Sequence, residues 1–216
     1  MKKYEAVLFD MDGVITDSMH WHAESWQKAF HDHGVIISKE DIFIREGMSG
    51  LASIIDILKE KHHPVPSGKE LESLMQKKLS IFETNGVKLF PYVKEILGLI
   101  SDIKLKSGLV TGSLRRSVEY MLKDSVLSFF DVIVTVDDIT NGKPHPEPYL
   151  NAMKQLNVAP DETLVIENAP LGIISAKEAG ADCYAIETSL DETYLKDADK
   201  VFKNHELLFS FLKDNL

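Results

Sequence analysis

The sequence predicts an α/β fold: a Rossmann-like, doubly wound parallel sheet core with an inserted α-helical cap domain. Three observations lead there. An apolar run of strand length, Ala6-Val7-Leu8-Phe9, ends abruptly in two carboxylates, Asp10-Met11-Asp12-Gly13. Residues 16–86 then read as helices, with no convincing strand among them. From Gly86 onward strand and helix signals alternate, as they do when parallel strands are joined by helical crossovers. The expected division is a core of residues 1–15 and 87–216 and a cap of residues 16–86.

Each element has its own signal. The apolar run at 6–9 lacks alternation, as a strand covered on both faces should. Met19, Ala23, Trp26, Ala29 and Phe30 recur at helical spacing over residues 19–34, and Gly34 supplies a stop. Ser38 with Asp41, ahead of Ile42 and Phe43, reads as a helix start. Gly47 and Gly50 bracket a turn, and Leu51, Ile54, Ile55 and Leu58 form the next stripe, halted near His62-His63-Pro64. Leu71, Leu74, Met75, Leu79 and Phe82 make a fourth helix that ends near Asn85-Gly86.

In the second half, residues 93–100 read as helix and 105–111 as a strand ending at Thr111-Gly112-Ser113. A helix through Leu122 and a strong strand over 131–136 follow, then a helix over 148–156 and a strand over 163–166 ending at Glu167-Asn168. A helix over 171–179 closes at Gly180, 183–186 is a strand, and Val201-Phe202 is a short edge strand before the last helix.

Composition narrows the function. With 44% hydrophobic and 27% charged residues, the chain of 216 suits a soluble globular enzyme. A net charge of -10 argues against a nucleic-acid partner, which calls for a basic face. The single cysteine, Cys183, excludes a disulfide framework, suits a reducing compartment and reads as a packed core thiol. No apolar run has membrane-spanning length, and Met1-Lys2-Lys3 leads straight into the first strand without a signal-peptide core, so the expected location is the cytoplasm. The chain is expected to be a monomer.

Two carboxylates at the carboxyl end of a buried strand lie where open α/β sheets build ligand crevices, and they need a cation or donors to compensate them. Thr111/Ser113, Lys143 and Glu167/Asn168 point toward the same crevice. The fragments Leu8-Phe9-Asp10-Met11-Asp12-Gly13-Val14, Val110-Thr111-Gly112-Ser113, Gly142-Lys143-Pro144 and Glu167-Asn168-Ala169-Pro170-Leu171-Gly172-Ile173, in this order, resemble the haloacid dehalogenase-like phosphotransferase superfamily. The local text is closest to its beta-phosphoglucomutase-like branch, and the likeness covers essentially the whole chain. Gly142-Lys143 also imitates the end of a nucleotide-binding P-loop. Pro144 replaces the Ser/Thr required there, and no glycine precedes at the right distance.

The resemblance implies a Mg²⁺-dependent phosphatase acting on a small phosphorylated metabolite through an aspartyl-phosphate. Asp10 would be the nucleophile and Asp12 the general acid, then base. Thr111, Gly112 and Ser113 would bind the phosphoryl group at a helix start, and Lys143 would neutralise it. Asp10, the backbone carbonyl of Asp12, and one or both of Glu167 and Asn168 would hold Mg²⁺. The family usually has an aspartate where this chain has Asn168, so either Glu167 ligates directly or the site binds Mg²⁺ more weakly.

His22 and Trp26 match the mutase helix His-x-x-x-Trp, Lys77 or Lys78 matches its cap lysine, and Arg115 is a candidate for an anionic substrate tail. Arg116 is read as part of a solvated face. A mutase clamps the substrate's second phosphate with an arginine in a Gly-x-Ser-Arg-like turn, where this chain has Gly47-Met48-Ser49-Gly50. The expected activity is therefore hydrolysis of a phosphate monoester such as a sugar phosphate. The alternatives are a beta-phosphoglucomutase and a non-catalytic phosphate-binding protein. Cap hinges are expected near residues 13–17 and 85–90.

Overall fold

The structure is a computed structural model, and it describes residues 3–122 and 126–216. Met1 and Lys2, which the sequence reading runs directly into the first strand, lie outside the described residues. The chain begins with β1 (Ala6–Phe9) and continues through four helices: α1 (Met19–His31), α2 (Lys39–Phe43), α3 (Gly50–Glu60) and α4 (Gly68–Phe82). Then come α5 (Val93–Asp102), β2 (Lys106–Val110), α6 (Arg115–Leu122) and β3 (Val132–Val134). The remainder is α7 (Glu147–Leu156), β4 (Thr163–Glu167), α8 (Pro170–Glu178), β5 (Asp182–Ile186), α9 (Glu192–Leu195), β6 (Lys200–Phe202) and α10 (His205–Asn215).

All six strands are parallel, in the order β3-β2-β1-β4-β5-β6. β1 is central and the winding reverses around it. Phe9 pairs with Leu109 on one side and Ile166 on the other, so β1, β2 and β4 end level with one another. Alternate residues of β1 serve opposite faces of the sheet. Val7 and Phe9 join Leu109, Ile166, Ile96, Leu97, Ile100, Leu208 and Leu212 in one core. Ala6 and Leu8 join Val110, Val165, Tyr149, Ala152, Met153, Ile173 and Cys183 in the other. This two-sided cover explains why the run at 6–9 is apolar throughout. Burying side chains such as Leu8 or Phe9 stabilises the fold by roughly 1.5–3 kcal/mol each.

The helices α1 to α4 have a core of their own, in which Met19, Ala23, Trp26, Ala29 and Phe30 pack on Ile54, Ile57, Leu58 and Leu74. The start of α2 is closed by a reciprocal cap: Asp41 N–H donates to Ser38 Oγ and Ser38 N–H to Asp41 Oδ2. The chain leaves and re-enters the sheet along one line. Thr16 forms an antiparallel bridge with Leu89, Asp17 N–H donates to Lys88 O at 2.8 Å, and Phe90 N–H to Ile15 O at 3.1 Å. No helix among the described residues is long and apolar enough to cross a membrane.

Two expectations are corrected. β3 is shorter than residues 131–136, because the Thr135 N–H and hydroxyl both donate to Asp138 and close a 3₁₀ turn over Val136–Asp138. Gly50 begins α3 rather than closing a turn before it, because the Ser49 hydroxyl caps the Ala52 N–H.

Candidate active site

Asp10, Thr111 and Glu167 come to one point because each sits at or just past the end of β1, β2 or β4. Lys143 reaches them from the loop before α7. Its ammonium donates to Asp10 Oδ1 at 2.6 Å, Glu167 Oε1 at 2.7 Å and the Val110 carbonyl at 3.2 Å, and lies 4.8 Å from the centre of the Tyr149 ring. Burial would lower the lysine's pKa, but Asp10 and Glu167 hold it above its ordinary value. Asp10 is 2% exposed; burial, reinforced by the charges of Glu167 and Asp12, raises its pKa to about 8 against the pull of Lys143. A divalent cation beside that carboxylate would lower it again.

Glu167 is fully engaged. Oε1 accepts from Lys143 and from the Tyr149 hydroxyl at 2.7 Å, and Oε2 accepts the Asn168 N–H at 2.9 Å. These contacts occupy the Glu167 carboxylate, which was expected to share metal ligation with Asn168, and tie it to Lys143.

Asp12 sits among hydroxyls and a histidine. Oδ1 accepts from Ser18 Oγ at 2.6 Å and pairs with His22 Nε2 at 3.1 Å, while Oδ2 accepts from Ser113 Oγ at 3.0 Å. Burial works to raise its pKa, but His22 and these hydrogen bonds outweigh it and hold the carboxyl down at about 2. Ser18 stands at the start of α1, its hydroxyl given to Asp12 rather than to the helix, and His22 lies one turn on, so one helix start brings both to Asp12. Beyond His22, Lys78 Nζ donates to Nδ1 at 3.0 Å, which leaves Nε2–H to donate to Asp12. Burial and the Lys78 charge lower the His22 pKa, and burial lowers that of Lys78 to about 8. Thr111 Oγ1 accepts the Ser113 N–H at 3.0 Å, which keeps its own proton free to donate.

Asp10, Asp12, His22, Thr111 and Ser113 open into a cavity of about 450 Å³ whose other walls include Trp26, Met48, Gly50, Met75, Leu79 and Phe82. Of the lysine pair, Lys78 lines the cavity, whereas Lys77 forms an ion pair with Asp32 outside it. Arg115 is also directed elsewhere. Its guanidinium donates to the Ile133 carbonyl at 3.0 Å and to Asp138 at 2.6 Å, so the structure does not bring it to the site as a substrate-tail residue. A side chain at Gly50, the position of the mutase arginine, would meet Met75 Cε at 2.1 Å, so an apolar wall stands there instead.

For a metal, the donor chemistry fits Mg²⁺. Two fully buried oxygens at the ends of β1 and β4, Asp10 Oδ2 and Asn168 Oδ1, have no hydrogen-bond partner. Leaving buried acceptors bare is costly, and oxygens such as these are what a hard cation takes. Among the described residues, no group of three or more His, Cys, Asp or Glu side chains is disposed to hold a metal. The set here mixes a carboxylate and an amide oxygen with the Asp12 backbone carbonyl.

Three neighbours escaped the sequence reading. Tyr149 is buried beside Lys143, Ser18 hydrogen-bonds Asp12, and Glu46 accepts from Asn168 Nδ2 at 2.8 Å. The only local signal for Glu46 is its place just before the Gly47-Met48-Ser49 turn.

Comparison with known proteins places the chain in a family. The family model described as haloacid dehalogenase-like hydrolase matches residues 7–186. The validoxylamine A 7'-phosphate phosphatase of Streptomyces hygroscopicus subsp. limoneus is 30% identical over 93% of this chain and 94% of its own. The phosphorylated carbohydrates phosphatase of Thermotoga maritima is 30% identical over 87% and 88%. Among solved structures, the beta-phosphoglucomutase of Clostridium difficile superposes with a TM-score of 0.86 at 27% identity, covering 98% of this chain and 96% of that one.

Proposed function

This chain belongs to the haloacid dehalogenase-like hydrolases and is a phosphoric monoester hydrolase of that family; on that premise we propose that it is Mg²⁺-dependent, cleaves a small sugar phosphate or similar ester, and works through an aspartyl-phosphate on Asp10. The observation that carries the reading is the single contact group of Asp10, Lys143 and Glu167 beside Asp12 and Thr111, at the ends of three neighbouring strands.

In the first half-reaction an Asp10 oxygen bonds to phosphorus as the ester P–O bond breaks, and Asp12 gives its proton to the leaving oxygen. Asp12 is ionised at rest, and the negative charge of an arriving phosphoryl group favours the protonated form this step uses. In the second half a water oxygen bonds to phosphorus, its proton passes to Asp12, and the P–O bond to Asp10 breaks to release phosphate. Lys143 neutralises charge on Asp10 throughout, while the Thr111 hydroxyl and the Gly112 N–H, just before α6, orient the phosphoryl oxygens. Mg²⁺, when held by Asp10, the Asp12 carbonyl and Asn168, supplies further charge neutralisation there. Residues 16–86 act as the cap that covers bound substrate and excludes water.

Hydrolysis is favoured over the mutase reading by the cations available in the cap. Arg45 is committed to Asp41, Asp56 and Glu60, and Lys78 to His22, so neither is left as a dedicated clamp for a second phosphate. The test is Mg²⁺-dependent phosphate release across a panel of sugar phosphates, with Asp10→Asn alongside. Loss of turnover by at least about a thousandfold in a folded variant is expected. Undiminished release by Asp10→Asn would remove the nucleophile assignment.

A further inference from the structure

Glu46 is hard to explain as a structural residue. It projects from the loop between α2 and α3, yet it is 8% exposed and sits against the strand ends of the sheet. Among the described residues its side chain has one hydrogen bond, from Asn168 Nδ2 to Oε2, and Oε1 is buried with no partner. Four buried side-chain polar atoms among the described residues are bare in this way. Ser25 Oγ is one; the other three, Asp10 Oδ2, Glu46 Oε1 and Asn168 Oδ1, belong to this spot. Asp10, Glu167 and Asp12 surround it with like charge, and among the described residues it forms no ion pair.

We propose that Glu46 is a ligand of the divalent-cation site, donated by the cap, so that cation binding and docking of the cap loop are one coupled event. The inference rests on the Mg²⁺ reading above and deepens it. Glu167 is consumed by Lys143 and Tyr149, and the Asn168 amide is neutral, so the core offers the cation one carboxylate, that of Asp10. Glu46 restores the second. The asparagine is what permits this: an aspartate at 168 would set carboxylate against carboxylate at the 2.8 Å contact, whereas the amide donates there and turns its oxygen to the site.

The loop is built to deliver Glu46. Arg45 is buried and anchored to the Asp41 carbonyl at 2.8 Å, to Asp56 at 2.8 Å and to Glu60, which fixes the residue before it. Gly47 follows at φ +89°, and a Cβ there would meet Lys143 Cδ at 2.7 Å, so a glycine is needed for the loop to lie on the catalytic lysine. By linkage, a cation that gains Glu46 only when the loop is docked favours the docked state by the same factor.

The experiment is calorimetric titration of Mg²⁺ alone into wild type, Glu46→Gln, Asn168→Asp and the double variant, with hydrogen exchange at residues 46–50. Glu46→Gln should bind Mg²⁺ at least about tenfold more weakly and lose any Mg²⁺-induced exchange protection of the loop. Adding Asn168→Asp to Glu46→Gln should restore affinity, since the charge returns from the core, but not loop protection, since the cap no longer shares the ion. Should Glu46→Gln not fold, Glu46→Asp keeps the charge but is one methylene short, and the same losses are expected. Affinity within twofold of wild type with loop protection retained overturns the inference alone. A wild type that takes up no Mg²⁺ overturns the Mg²⁺ reading and the inference together.

Discussion

Replacing Lys143 by methionine removes the cation shared by two buried carboxylates while keeping most of the side chain's length. The ammonium is 2.6 Å from Asp10 and 2.7 Å from Glu167, and all three side chains are 1–3% exposed. At an effective dielectric constant of 20, one such contact is worth about 6 kcal/mol before desolvation is counted. Much of that repays the burial of the charges, and removing one partner of a buried pair typically costs about 3–5 kcal/mol. For a chain of this size that corresponds to a fall in Tm of about 6–20 °C.

The pH dependence provides an internal check. Asp10 titrates at about 8 in the folded protein, above its ordinary range, so its contribution to stability is present at low pH and lost as pH rises toward 8. Without Lys143 the folded pKa of Asp10 moves higher still, and the loss continues past pH 8. Wild-type and variant stabilities should therefore fall in parallel between about pH 4 and 8 and diverge above it. The assay is denaturant unfolding in metal-free buffer at pH 6 and pH 9. A loss below about 1 kcal/mol at pH 9, or a gap that narrows from pH 6 to pH 9, would refute the electrostatic account of this contact.

Two other expectations can be checked separately. Arg45→Met should loosen the loop that carries Glu46, raising KM several-fold, with about 1–3 kcal/mol lost in stability through the stranded Asp41 carbonyl and lost ion pairs; unchanged KM in steady-state kinetics would show that the loop holds its position without this anchor. His205 is buried, its Nε2 contacts the Val14 carbonyl at 2.7 Å, and burial lowers its pKa, so the unfolded chain takes up a proton that the folded one refuses and stability falls as pH drops below about 6.5. His205→Gln should flatten unfolding free energy across that window, and an unaltered slope would place the pH dependence elsewhere.

The elements that the sequence announced best are those whose neighbours lie on both sides. β1 is apolar at all four positions and β4 at its three central ones, Leu164 to Ile166, because helices cover each face, so a short continuous apolar run marks them. Elements stopped by local chemistry were harder: β3 yields to a side-chain cap from Asp138, and α9 spans four residues, too few for a helical stripe. At the site, the convergence of Asp10, Asp12 and Thr111 was legible because they sit at the ends of neighbouring strands, and that of Lys143 because it sits in the loop before α7. Lys77 and Lys78 could not be separated by spacing, since adjacent helical residues differ by a rotation that only packing fixes; Lys78 is buried against Trp26 and Phe82, and Lys77 turns out to Asp32. Glu46 was illegible for another reason. Its partner Asn168 lies 122 residues away, so nothing beside it in the chain explains it.

The bridge between Thr16 and Leu89 has a mechanical consequence. Two passes of chain joined side by side behave as a narrow ribbon, soft to bending across its width and stiff to shear between its edges. A swing of α1 to α4 relative to the sheet would thereby be steered toward a single axis, and would carry Glu46 along an arc. The same pairing means that residues 17–88 begin and end at one address. A short hairpin spliced there would leave the register of β1 and β2 intact, and the sheet would keep its strand order without its visitor.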